Sequence, residues 1–256
     1  MGESSARYWR LAATALSFAV FGIAGLLLGV VVFPLFAVLV GRERRISMAR
    51  QVIRLVLRAY VELMRLLGVL RYDISGLQRL ERGGLLILAN HPTLIDTIFL
   101  MAFVKKADCI VKAELWNNPF TRGPVRAAGY ISNAGGPSLV AAGIATLQRG
   151  NNLIVFPEGT RTPGDGLIRL KRGAANIAVR GGRDITPVVI RCEPPTLGKG
   201  EKWWRVPACR VHFRIDVQDD IAVRSFIQGG ASDVMAARHL TDYLQLYFTG
   251  KQERHA

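Results

Sequence analysis

Acid is scarce in this 256-residue sequence: 19 aspartates and glutamates stand against 34 lysines and arginines, a formal net charge of +15. A basic excess of that size favours acidic partners, whether nucleic acid, an anionic membrane surface, or acidic substrates and carriers. Cysteine is scarcer still. Cys109, Cys192 and Cys209 lie far apart and form no C-x-x-C pair. That spacing excludes a disulfide framework and a thiolate zinc site, and predicts reduced, buried thiols facing a cytoplasmic compartment. The nucleophile elbow G-x-S-x-G is missing, so a hydrolase would need a hidden nucleophile. Internal repeats, low-complexity segments and recognisable nucleic-acid modules are also missing, and the positive charge is spread along the chain. A basic binder of membrane or nucleic acid without enzymatic activity therefore stays as an alternative reading, without a motif behind it.

Charge itself is missing from residues 11–41, "LAATALSFAVFGIAGLLLGVVVFPLFAVLVG". About 20 apolar residues cross a bilayer as a helix. This run is longer, so it can cross with tilt or bend at Pro34. It is also too long for a signal-peptide core and carries no small-residue cleavage pattern. Arg7 and Arg10 precede it, and Arg42, Arg44 and Arg45 follow it. The excess places the C-terminal side, with the rest of the chain, on the cytoplasmic face of a membrane. A half-inserted helix or a hairpin leaves both ends there, and these residues leave both geometries open. In residues 46–70, Arg50, Arg54, Arg58 and Arg65 fall within an arc of about 80° on a helix. This basic amphipathic helix either lies in the lipid interface or packs on the following domain with its basic face in solvent. The organisation read from these segments is an anchor over 1–45, the amphipathic helix over 46–70 and a catalytic domain over 71–256.

Beyond residue 71, apolar runs alternate with helical patterns. "RYDIS" (71–75), "LLILA" (85–89), "CIVK" (109–112), "NLIVF" (152–156), "TPVVIR" (186–191) and "RVHFRIDV" (210–217) read as strands. Helical patterns cover 94–104, 137–149, 170–180 and 231–248. The fold class is α/β: a mixed, largely parallel sheet flanked by helices, behind an N-terminal membrane-embedded helical segment. In the loop "EPPTLGKGEKWWRVPA" (193–208), Trp203 and Trp204 stand among Lys199, Lys202 and Arg205. Such a loop either meets lipid headgroups or closes its tryptophans over the core.

Two stretches carry chemistry. In "LANHPTLIDT" (88–97), Pro92 ends the strand, so His91 sits at a strand's carboxyl end, where α/β folds gather their sites. Thr93 is the candidate N-cap of the next helix and Asp96 lies in its first turns. Residues five apart on one continuous helix are rotated by about 140° and do not meet. A turn at Pro92 folds His91 back over the helix start instead. Asp96 then accepts from one imidazole nitrogen and leaves the other free, the base and orienter of a triad without its nucleophile. The plain alternative is a structural pair. A substrate hydroxyl can supply the missing nucleophile. In "NLIVFPEGTRTPG" (152–164), Pro157 ends another strand and Gly159 allows a turn closed to other residues. Glu158, Thr160 and Arg161 are presented there, either as a charged surface turn or as an anion clamp. "IRLKRGAANIA" then puts Lys171 and Arg172 before a small-residue helix.

Together these residues resemble the glycerolipid acyltransferase family of lysophospholipid (1-acylglycerol-3-phosphate) acyltransferases. "NHPTLID" matches its first motif, "FPEGTR" (156–161) its third, and "LKRGAANIA" and "ITPVVI" the segments that follow, over roughly residues 71–220. The resemblance implies transfer of a fatty acyl group from acyl-CoA or an acyl carrier protein to a lyso-lipid hydroxyl, at a membrane and without metal, cofactor or nucleic acid. It makes His91 the base and Asp96 its orienter, and assigns the acceptor headgroup to Glu158, Gly159, Thr160 and Arg161 with help from Lys171. The family's second motif ends in an arginine that holds the acceptor phosphate. Here "AAGYISNAGG" (127–136) offers Ser132 and Asn133, so Asn133 is the substrate-binding candidate, and Arg122 and Arg126 are the nearest upstream cations. That departure raises a non-phosphatidic acceptor, such as a lyso-ornithine lipid.

Overall fold

The structure, a computed structural model, describes residues 3–135, 137–163, 168–228 and 232–253. Gly136, the end of the second-motif stretch, and Gly164, the end of the FPEGTRTPG stretch, lie outside the described residues.

The chain opens with α1 (Glu3–Leu27), a π-helical turn (Leu28–Val32) and α2 (Phe33–Leu39). Pro34 explains the π turn. It has no N–H to donate, and its ring would strike the carbonyl four residues back, so the ladder widens just before it. The run Ser5–Leu39 is long and apolar enough to cross a membrane, and 11% of its most apolar window is buried. It lies antiparallel along α3 (Arg42–Leu66): the Trp9 indole donates to the Leu67 carbonyl (2.9 Å), and Phe21 packs on Tyr60 (5.4 Å between ring centroids). Glycines bring it against α5 (Arg122–Ala128) backbone to backbone. A Cβ added at Gly123 would stand 2.3 Å from the Gly29 Cα, and one at Gly25 would stand 2.2 Å from the Phe120 carbonyl oxygen.

The arginine face of α3 turns inward more than the sequence predicts. Arg50 is nearly buried and pairs with buried Asp108 (2.7 Å), while its Nε donates to the Ala128 carbonyl. A guanidinium removed from water needs such a counter-charge, so Arg50 packs on the domain, while Arg54 is half-buried and Arg58 and Arg65 stay exposed. Arg58 sits 5.1 Å over the Phe103 ring.

The remaining elements alternate. They are β1 (Leu70–Ser75), β2 (Leu86–Ala89), α4 (Asp96–Phe103), β3 (Ala107–Val111), then α5, β4 (Ile131–Ser132), α6 (Pro137–Gln148), β5 (Asn152–Val155), α7 (Gly173–Gly181), β6 (Ile185–Glu193), β7 (Val211–Val217), α8 (Arg224–Ile227) and α9 (Asp233–Glu253). One sheet runs in the order β1-β7-β6-β2-β5-β3-β4. The strands from β6 to β4 are mutually parallel, and β7 with β1 runs opposite to them. In β2, Ile87 and Ala89 face a core built with α1 to α5, whereas Leu86 and Leu88 face one built with α6, α7 and α9. Burial on both faces is why β2 and β5 read as unbroken apolar runs. Buried Phe99 and Phe213 stack at 4.9 Å, and burial of each such ring stabilises the fold by about 1.5–3 kcal/mol.

The cysteines depart from expectation. All three are free, but only Cys109 is buried; Cys192 is half-buried and Cys209 exposed. The tryptophan loop lies along the N-terminal helix. Trp203 packs on Phe18 of α1 (5.7 Å) and both indoles stay about half exposed, so they flank the apolar helix instead of closing the core.

Candidate active site

β2 and β5 are neighbours and parallel, with Leu88 opposite Val155, so the chain leaves both at the same edge of the sheet. His91 follows the first and Glu158 the second. Asn90 fixes the exit from β2: its amide donates to the Ile190 carbonyl (2.8 Å) and accepts from the Ile190 N–H (2.7 Å), extending the ladder by a side chain.

His91 and Asp96 meet. α4 begins only at Asp96, and the non-helical turn over residues 92–95 brings His91 Nδ1 to 2.9 Å from Asp96 Oδ2. Thr93 does not cap α4 as expected. Its N–H and its hydroxyl both donate to the Asp96 carboxylate, at 2.6 Å each, and the position flanking the helix is Ile95. Buried Asp96 thus receives three donors. Burial pushes its carboxyl above the usual range, and the His91 and Thr93 donors work against that shift. The imidazole stacks on Phe156 (4.2 Å, 28° between planes), and its Nε2 makes no hydrogen bond among the described residues. The ring is held by Asp96 at Nδ1 and by Phe156 on one face, with the other nitrogen free, the geometry of an oriented base.

The two motifs are bonded to each other. Glu158 Oε1 accepts from the His91 N–H (2.9 Å) and from the Thr162 hydroxyl (3.0 Å), and the Thr162 N–H donates to the His91 carbonyl (2.7 Å). Glu158 is buried, which pushes its carboxyl up, and Oε2 has no partner among the described residues. Its position beneath His91 makes it a support for that backbone. Gly159 has φ +68°, and a Cβ there would stand 2.8 Å from Lys171 Nζ, so Lys171 lies over the turn; its N–H donates to the Pro157 carbonyl (2.8 Å). Thr160 is half-buried beside it.

Arg161 and Asn133 have partners that residue identity does not show. Arg161 Nη1 donates to the carbonyls of Leu197 (2.9 Å) and Gly198 (2.7 Å), so its guanidinium clasps the tryptophan loop; the Leu94 N–H donates to the same Leu197 carbonyl (3.1 Å). Asn133 follows β4, the edge strand three places from β2, and its carbonyl oxygen accepts from the Ala113 N–H (3.1 Å). At about 4.8 Å per strand that puts it roughly 14 Å from His91. Asn90, Thr162 and Phe156 lie within the quoted motifs, yet their roles rest on partners far along the chain. Among the described residues no group of three His, Cys, Asp or Glu side chains gathers to hold a metal ion.

An apolar cleft of about 360 Å³ runs along α4. Thr97 and Ile98, directly after Asp96, line one part of it, and Phe21 of α1, Leu28 of the π turn, and Ile53 and Tyr60 of α3 line another.

Residues 71–191 match the Acyltransferase family model. A 1-acyl-sn-glycerol-3-phosphate acyltransferase of Pseudomonas aeruginosa is 28% identical over 137 residues, covering 51% of this chain and 53% of that protein. A protein of the same name from Helicobacter pylori is 34% identical over 117 residues, 43% of this chain and 49% of that one. The chain spans about half the length of the curated relatives it matches. The crystal structure of the 1-acyl-sn-glycerophosphate (LPA) acyltransferase PlsC from Thermotoga maritima shares the fold over 98% of both chains, with a TM-score of 0.70 at 20% identity. The stretch matched by the Acyltransferase model, residues 71–191, holds both His91 and Glu158.

Proposed function

We propose that this chain transfers a fatty acyl group from an acyl thioester, acyl-CoA or acyl carrier protein, to the hydroxyl of a membrane lyso-lipid. The observation that carries the reading is the His91–Asp96 pair with Nε2 free; an apolar cleft whose lining includes Thr97, the residue after Asp96, accompanies it. Nε2 takes the hydroxyl proton as the oxygen attacks the thioester carbonyl. The tetrahedral adduct then expels the thiolate, which recovers the proton from the imidazolium, and Asp96 stabilises the cation in between. The cleft's size, within the range of small-molecule sites, suits an acyl chain.

The same proposal places the enzyme on a membrane through Ser5–Leu39. That run is tied along α3 and α5 at Trp9, Phe21 and Gly29, so it lies against the domain with Ile23, Leu27, Val31 and Leu35 outward. This supports half-insertion in one leaflet; in this proposal the arginine excess after the run puts the catalytic domain on the cytoplasmic face.

The relatives' names carry 1-acyl-sn-glycerol-3-phosphate to this chain as the first acceptor. A second reading, a lyso-lipid without a phosphomonoester, is favoured by the engagement of Arg161 with the loop and by the placing of Asn133 on the edge strand. Purified protein, given acyl-CoA or acyl carrier protein and each acceptor in detergent micelles, distinguishes them. Turnover on lysophosphatidic acid supports the first, and turnover confined to a lyso-ornithine lipid supports the second. Free fatty acid formed without either acceptor would refute acyl transfer.

A further inference from the structure

The sheet edge opposite His91 carries a second feature. Arg42, Arg50 and Arg54 of α3, Lys105 and Lys106 before β3, and Arg149 before β5 line one groove of about 1230 Å³. From Asn151 to Phe156, β5 spans roughly 16 Å, so this groove and the imidazole lie at opposite ends of the strand. Among the described residues its charge is largely uncompensated. The carboxylate in it, Asp108, is used by Arg50 (2.7 Å), the Thr146 hydroxyl (2.7 Å) and the Cys109 N–H (2.9 Å). Arg42, Arg54, Lys105, Lys106 and Arg149 make no ion pair among the described residues. Elsewhere Arg79, Arg82 and Arg191 each pair with an aspartate. Five unpaired cations along one groove repel one another, and an anionic ligand relieves that repulsion.

The groove's rim indicates which anion. α2 ends at Leu39 with Val38 and Leu39 largely exposed, and α3 begins three residues later at Arg42. Apolar surface therefore passes into cationic groove within about one helical turn, and the groove follows α3 from Arg42 to Arg54, about 18 Å. A phosphate headgroup joined to acyl chains has that same sequence of polarity. An acidic protein would meet the cations but leave the apolar rim unused.

We propose that this groove is a binding site for the phosphate headgroups of anionic phospholipids, separate from the acceptor site, at the edge of the apolar N-terminal helix. The inference rests on the membrane placement of Ser5–Leu39. It is tested on the full-length protein with phosphatidylcholine vesicles and with vesicles of about one third phosphatidylglycerol. Wild type is compared with the combined variant Arg54→Gln, Lys105→Gln, Lys106→Gln, whose thermal unfolding is checked against wild type. Wild type prefers the anionic vesicles. The variant loses on the order of a hundredfold of that preference and binds neutral vesicles as before. High salt abolishes the wild-type preference. Acyl transfer in neutral detergent micelles, whose only added lipid is the acceptor itself, stays at the wild-type level. A preference that persists in the variant overturns the proposal, as does wild-type indifference to lipid charge. Retention on an immobilised acidic carrier protein without any vesicle preference also overturns it, in favour of a protein partner. Protein that prefers anionic vesicles through these residues yet transfers no acyl group supports the groove and refutes the activity instead.

Discussion

Asp96→Asn separates what the carboxylate does by shape from what it does by charge. Three donors converge on this side chain: His91 Nδ1 (2.9 Å) and the Thr93 N–H (2.6 Å) on Oδ2, and the Thr93 hydroxyl (2.6 Å) on Oδ1. An asparagine that places its oxygen at the Oδ2 position keeps the first two. Its NH₂ then faces the Thr93 hydroxyl, which rotates to accept. The imidazole keeps its tautomer and orientation, and stability changes by less than about 1 kcal/mol. What is lost is the charge opposite an imidazolium. A hydrogen bond to a charged partner contributes about 1.5–3 kcal/mol and a neutral one about 0.5–1.5, so the transition state loses about 1–2 kcal/mol, roughly a 5- to 30-fold fall in kcat. Asp96→Ala strips the Thr93 donors as well, destabilises the buried turn by about 2–4 kcal/mol and lowers kcat on the order of a thousandfold. The assay is kcat for thioester-dependent acylation beside urea unfolding of each variant. If Asp96→Asn costs as much activity as Asp96→Ala while remaining fully folded, the carboxylate does more than stabilise a cation and this reasoning is wrong.

Two further outcomes concern buried charge. Asp108→Ala leaves the nearly buried Arg50 guanidinium without its partner and should cost about 3–5 kcal/mol in chemical unfolding, partly restored by adding Arg50→Leu; a cost under about 1 kcal/mol would show the pair to be incidental. Glu158→Gln keeps an acceptor for the His91 N–H and the Thr162 hydroxyl and removes a carboxyl that burial pushes up. A carboxyl raised in the folded state favours folding while protonated and loses that contribution as pH rises from its unfolded value through its folded one. The variant should therefore gain stability over wild type with rising pH, by about 1 kcal/mol at pH 8 and by little at pH 4. A gain that shrinks as pH rises would reverse the sign.

The sheet and the His91–Asp96 pair are legible in the sequence because their signals are local. Pro92 and Pro157 end apolar runs, and Pro92 supplies the turn that lets residues five apart meet. Glu158 reads in isolation as a headgroup ligand or a surface carboxylate, because its partner, the His91 N–H, lies 67 residues away. Arg161 reads as an anion clamp because the Leu197 and Gly198 carbonyls that engage it are backbone atoms, invisible to residue identity. Arg50 reads as one of a solvated stripe until Asp108 is brought under it. Gly25, Gly29 and Gly123 read as ordinary glycines in apolar or loop sequence. Only the packing of α1 on α5 shows that a Cβ has no room there.

The central claim, that His91 is the base for direct attack by a lipid hydroxyl, is tested most directly by His91→Ala in the purified, membrane-reconstituted protein. It keeps the Asn90, Glu158 and Thr162 contacts to the backbone, so the fold and the membrane attachment should persist. Acyl transfer to the lyso-lipid should fall by at least about 10²–10⁴ in kcat, with no acylated protein trapped during turnover of wild type. Retained transfer in His91→Ala, or a covalent acyl-enzyme in wild type, would contradict the account.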